Sequence, residues 1–296
     1  MLASEITVPE PTIPALNLRA LARRLVVPAL LAVAAVLGVF LLGGRIHVFA
    51  DALRRGLGVS PVWVVVGVAF ESVSLAGYVV LLSLVAGRAT TRVGMRESAR
   101  ITFAGAAATR LLPTAGAGGA ALALYALRRA GLKPAAAART LLVFLVLLYS
   151  VFLASIAVSG AAIALGFVHG HGPVALSALP AAGAIAAIAL ALIFAAVLGG
   201  ESDDAASDRS RAASAARLVG GAVRDAIALV GSRDRRLAGA VAYWIFDAAV
   251  LWAMLHAFGS PPSLPVVALA YFVGQLANTL PLPGAVSGGI AGVLIA

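Results

Sequence analysis

A chain of 296 residues with 62% hydrophobic and 11% charged residues and a mean hydropathy of +1.04 lies outside the composition of soluble globular domains. The absence of cysteine removes disulfides and thiolate metal sites, and the net charge of +10 does not point to nucleic acid, because the arginines fall in short segments between apolar runs. The fold class that follows is an all-α integral membrane protein, a polytopic helical bundle.

Residues 1–24 form a basic tail with Arg19, Arg23 and Arg24, ahead of a single transmembrane domain over 25–296. Leu25–Gly43 is too long for the apolar core of a secretory signal and reads as a signal-anchor helix. Val62–Ala86, Leu141–Gly166, Val174–Leu198 and Leu237–Phe258 are further spans. Each is long enough to cross a hydrocarbon core about 30 Å thick. Two other apolar stretches are interrupted: Ile101–Leu127 by Pro113, Gly116, Gly118 and Gly119, and Val266–Ala296 by Pro281, Pro283, Gly284, Gly288 and Gly289. Proline removes a backbone donor and glycine loosens the chain, so neither stretch is expected to be one unbroken helix.

The basic residues give the topology. Arg88, Arg92, Arg96 and Arg100 precede the first broken stretch, and Arg128, Arg129, Lys133 and Arg139 follow it. The linker 199–237 adds seven arginines, while 167–173 and 259–264 carry none. Arg45, Arg54 and Arg55, within 44–60, run against the trend. With basic segments cytoplasmic, both flanks of Ile101–Leu127 lie on one side, so the stretch is expected to dip in and return as a re-entrant hairpin. The second broken stretch then starts from the opposite face.

The two stretches resemble each other. Phe103-x-Gly105-x-x-Ala108-Thr109 matches Phe272-x-Gly274-x-x-Ala277-Asn278, and Leu112-Pro113-x-x-Gly116 matches Leu280-Pro281-x-x-Gly284. Phe70-Glu71 and Phe246-Asp247 correspond in the preceding helices. An inverted repeat follows, with repeat one over about 61–166 and repeat two, incomplete, over about 237–296. Chance recurrence of small residues in membrane helices is the competing explanation.

Within the linker, Leu218, Val219, Ala222, Val223, Ala226, Ile227 and Val230 form an apolar stripe, with Arg211, Arg217 and Arg224 on the remainder. The pattern predicts a helix, lying on the anionic cytoplasmic leaflet or simply exposed between spans. His169 and His171 offer too few ligands for a metal. No metal or other cofactor is expected. Trp63 and Trp244 are expected at the membrane interfaces.

Thr109 to Gly119, the stretch Leu127-Arg128-Arg129-Ala130-Gly131-Leu132, and Asn278-Thr279-Leu280-Pro281-Leu282-Pro283-Gly284 resemble the lysylphosphatidylglycerol synthase transmembrane, or flippase-like, family. The resemblance covers most of residues 20–296. It implies a multi-pass domain of the bacterial inner membrane that, in the full-length synthases, is associated with moving aminoacylated phosphatidylglycerol between leaflets; the basic tail puts the N-terminus on the cytoplasmic side. The family's synthase activity belongs to an aminoacyl-transferase domain and is not carried over, so the chain is expected not to be an enzyme. Ile290 stands where the family's glutamate follows the Pro-Gly motif.

Charges at bilayer depth cost at least about 2.5–3.5 kcal/mol each, so Glu71, Arg110 and Asp247 require a reason. The expected function is translocation of an anionic phospholipid or lipid-linked substrate. Arg110 holds the phosphate, helped by backbone N–H groups of half-helices starting near Thr114 and Ser287. Glu71 and Asp247 balance Arg110 or take up a proton. Thr109, Pro113, Thr114, Gly116, Asn278, Pro281, Pro283 and Gly284 complete the expected substrate site, with Gln275 as a further lining candidate. Permanent pairing of the acids with Arg110 would make all three structural. The alternatives are a scaffold for a membrane-protein partner, or an intramembrane lipid-modifying enzyme with Glu71 or Asp247 as base.

Overall fold

In a computed structural model of the chain, residues 60–111, 117–167, 174–198, 211–259, 262–277 and 290 are described, apart from the side chains of 110, 111, 117, 211–213 and 277. They belong to one compact unit, residues 59–296. The first expected span, Leu25–Gly43, lies outside them. Every regular element among the described residues is helical.

Helix α1, Pro61–Ala89, starts with proline in its first turn, where a missing N–H is no loss. It ends where Thr90 turns extended, its N–H bonded to Ala86 O. Helices α2, Met95–Leu111, and α3, Ala117–Arg129, flank Pro113 and Gly116, whereas Gly118 and Gly119, expected in the interruption, lie in the first turn of α3. Helix α4, Pro134–Ala164, begins well before the expected Leu141. The apolar run marks where lipid begins, whereas Pro134 and the alanines after it already favour helix. Helix α5 is Ala175–Leu198, and α6, Arg211–Gly231, is the linker helix. A 3-10 turn, Arg235–Leu237, leads into α7, Ala238–Phe258, and α8 is Leu264–Ala277.

Four helices, α1, α4, α5 and α7 with its preceding turn, are long and apolar enough to cross a membrane, and they coincide with four of the expected spans. At 17 and 13 residues, α2 and α3 are only about 25 and 20 Å long, short of a hydrocarbon core of about 30 Å. They pack against each other through glycine. A Cβ on Gly119 would lie 2.8 Å from the Thr109 hydroxyl and 3.3 Å from Gly105 O.

The basic segments meet. Thr90 Oγ1, before α2, donates to Ala130 O, after α3, at 3.5 Å, and Arg88 Nη2 donates to the Ser232 hydroxyl at 3.4 Å, bringing in the turn after α6. There Asp234 accepts from the Arg236 backbone N–H at 3.0 Å and from its guanidinium at 2.8 Å. These hydrogen bonds hold the Asp234 carboxyl well below the usual aspartate range, at about 2.

The linker helix neither floats free nor turns its whole stripe to lipid. Ala222, Val223, Ala226 and Leu229 are buried where α6 packs on α4 and α5, while Val219, Ile227 and Val230 stay exposed. Arg139 on α4 pairs with Asp225 through two hydrogen bonds, at 2.6 and 3.0 Å. With the two side chains 49% and 42% exposed, this pair fixes register more than it stabilises.

Candidate functional site: the crossing of α1 and α7

Helices α1 and α7 share the most extensive packing in the bundle, and they run antiparallel. Trp63 meets Trp252, with ring centroids 5.8 Å apart; Phe70 meets Phe246 at 5.7 Å; Tyr78 meets Tyr243 at 5.3 Å. At Gly77 the two backbones touch. A Cβ there would sit 2.6 Å from Gly239 O, and one on Gly239 would strike Gly77 O in return. Only glycine on both helices permits this approach. The buried Ser74 hydroxyl adds a tie, donating to Tyr243 O at 2.9 Å.

This crossing positions the two acids. Glu71 and Asp247 directly follow the touching phenylalanines; both are half-buried, near the middle of their helices. Both lie within electrostatic reach of Tyr243, as do Tyr78 and Tyr149. The Tyr271 hydroxyl on α8 donates to Asp247 Oδ2, and Gln275 Nε2, one turn on, donates to the Tyr271 oxygen at 3.1 Å. Asp247 therefore has a neutral hydrogen-bonding partner, Tyr271, from its own half of the chain. Among the described residues, no lysine or arginine side chain forms an ion pair with it. Glu71 is engaged in an interaction of its own.

Beside these polar groups runs an apolar groove of about 820 Å³ between α1, α4, α7 and α8. Its lining includes Phe70, Ala248 and Phe272, the sequence neighbours of Glu71, Asp247 and Tyr271. Consecutive helix residues point about 100° apart. The polar cluster thus flanks the groove rather than filling it.

Of the other expected site residues, Thr109 lies in the last turns of α2, its hydroxyl donating to Gly105 O at 3.0 Å. Arg110 follows it in the helix, and nothing is described of its side chain. Pro113, Thr114, Gly116, Asn278, Pro281, Pro283 and Gly284 lie outside the described residues, as do His169, His171 and Ser287. Among the described residues, no cluster of His, Asp or Glu could hold a metal.

Two differences from expectation concern aromatic residues. Trp244 lies in the core of the bundle rather than on its outer surface. It is 5% exposed, its indole N–H donates to Leu148 O at 2.7 Å, and its ring packs on Phe152 at 4.9 Å. A buried carbonyl gives the indole the partner that interfacial water would otherwise supply. Phe103 and Phe272, aligned in the two broken stretches, have unlike surroundings. Phe272 is 3% exposed, against 58% for Phe103, and packs on Phe152 of α4 with centroids 5.4 Å apart. Tyr271 had no sequence signal as a site residue beyond being a phenol inside an apolar run.

Comparison of the chain with protein-family models, curated proteins and solved structures returned no match.

Proposed function

We propose that the protein translocates an anionic phospholipid or lipid-linked substrate across the bacterial inner membrane, as a flippase-like transporter with its N-terminal tail cytoplasmic. The observation that carries this reading is the polar cluster of Asp247, Tyr271 and Gln275, with Glu71 nearby, directly beside an apolar groove in a membrane-spanning bundle. A lipid needs both parts, an apolar channel for its chains and polar groups for its head. The sequence places Arg110 and the two broken stretches as the phosphate-binding partners of that cluster.

An inverted repeat gains support from register. When two related helices cross antiparallel about a two-fold axis, equivalent residues meet on that axis. Phe70 and Phe246, equated from the sequence, are the rings in contact. The other pairs fall to either side, Trp63 with Trp252 one way and Gly77 with Gly239 the other. Re-entry of the first broken stretch is supported by the shortness of α2 and α3 and by the contact between their outer ends through Thr90 and Ala130.

Two experiments test the proposal. In vesicles containing a fluorescent phosphatidylglycerol tracer, the purified protein should speed exchange between leaflets, and Arg110→Ala should abolish the gain; undiminished exchange would rule out the guanidinium as anchor. Because the chain has no cysteine, Arg96→Cys and Arg128→Cys can be labelled cleanly. Both should react from the cytoplasmic side. Labelling from opposite sides would mean that the stretch crosses.

A further inference from the structure

We infer that Asp247 is a proton-exchange site whose protonation is tied to the position of α8, so that one proton accompanies the anionic substrate; the coupling, though not the proton site itself, rests on the transport reading above. The hydrogen bonds run from the Gln275 amide to the Tyr271 oxygen and from the Tyr271 hydroxyl to the carboxylate. Among the described residues, this negative group receives a hydrogen-bond donor and forms no ion pair with a lysine or arginine. Facing that part of α7 are Glu71 and Tyr78 from α1, Tyr149 from α4 and Tyr271 from α8, with Tyr243 one turn back on α7 itself. Among the described residues, this set contains a second acid and four phenols, and no lysine or arginine. In an apolar surrounding, such a carboxylate is neutralised by gaining a proton or by a visiting cation.

The link to movement comes from which helix donates. Tyr271 and Gln275 sit on α8, the helix that leads into the second Pro/Gly interruption. While Asp247 is a carboxylate, it accepts the Tyr271 O–H and holds α8 against α7. When one proton from water binds a carboxylate oxygen, the carboxyl becomes a neutral donor and its pull on the phenol O–H weakens. Tyr271 keeps its own proton, and the site gains one positive charge. After α8 has shifted, the proton returns to water on the other side and the bond re-forms. A singly charged anionic headgroup moving together with that proton carries no net charge across the bilayer.

The test uses the full chain in phosphatidylcholine vesicles with a fluorescent phosphatidylglycerol tracer, at varied pH, together with infrared difference spectra of the protein on a pH jump. Wild-type exchange should follow pH with a single-proton midpoint, and the spectra should show a protonated-carboxyl band. Asp247→Asn should lose both the pH response and the band. Tyr271→Phe should shift the midpoint, because it removes the hydroxyl that bonds the acid, and Asp247→Glu should restore a pH response. Since Tyr271→Phe leaves the acid in place, it reports even where Asp247→Asn fails to fold. An unchanged pH response and band in Asp247→Asn, or an unmoved midpoint in Tyr271→Phe, would overturn the inference. A band that vanishes in Asp247→Asn from a protein showing no lipid exchange would keep the proton site and sink the transport reading.

Discussion

Replacing Gly77 by alanine adds one methyl group at the α1–α7 crossing. Its Cβ would lie 2.6 Å from Gly239 O, 2.9 Å from Tyr243 N and 3.0 Å from the Ala242 Cβ. Comfortable contact begins near 3.5 Å, so the helices must separate by on the order of 1 Å. The two closest atoms are backbone, and no rotamer change relieves them. Overpacking of this kind costs about 1–3 kcal/mol, against about 0.5–1 kcal/mol returned when alanine replaces a helical glycine. The net expectation is destabilisation by roughly 0.5–2 kcal/mol. Gly183, inside α5 with nothing within 4 Å of its would-be Cβ, is the internal control. There alanine should stabilise by about 0.5–1 kcal/mol. Reversible unfolding in mixed micelles with rising denaturing detergent, followed by circular dichroism, measures both. If Gly77→Ala proves as stable as Gly183→Ala, the close crossing of α1 and α7 is wrong.

Ser98 is fully buried, and its hydroxyl has no hydrogen-bond partner; Ser98→Ala should therefore stabilise by about 1 kcal/mol in the same assay, and a loss would reveal a partner. Trp244→Phe removes the indole bond to Leu148 O and part of the ring packing. It should cost about 1–3 kcal/mol in unfolding free energy. The Asp234 carboxyl is depressed to about 2 in the folded protein, so its contribution is complete above the ordinary aspartate value and is lost as pH falls through about 2. The wild-type advantage over Asp234→Asn, measured as a difference in Tm, should shrink across that window; a difference independent of pH would refute the assignment. Arg233 holds a left-handed φ of 53° just after α6, and Arg233→Gly should raise Tm slightly by removing a cost of about 1 kcal/mol.

Much of this protein could be read from sequence because the bilayer imposes simple conditions. Apolar runs such as Val174–Leu198 are long enough to cross a bilayer and must be helical there, since lipid offers the backbone no hydrogen-bond partner. Pro113 and Gly116 marked where α2 and α3 part, while Gly118 and Gly119 went into α3. Glu71 and Asp247 stood out because a charge in an apolar run is costly wherever it ends up. Tertiary structure alone decided who meets whom. The chain has 31 glycines, and nothing in their spacing singled out Gly77 and Gly239 as the pair that lets two backbones touch. Tyr271 became Asp247's partner, and Trp244 became a core residue, because α8 and α4 brought a hydroxyl and a carbonyl within reach. Hydrophobic patterning is a property of each segment and shows along the chain, whereas register and hydrogen-bond partnership depend on the relative placement of two segments and are set when the helices pack.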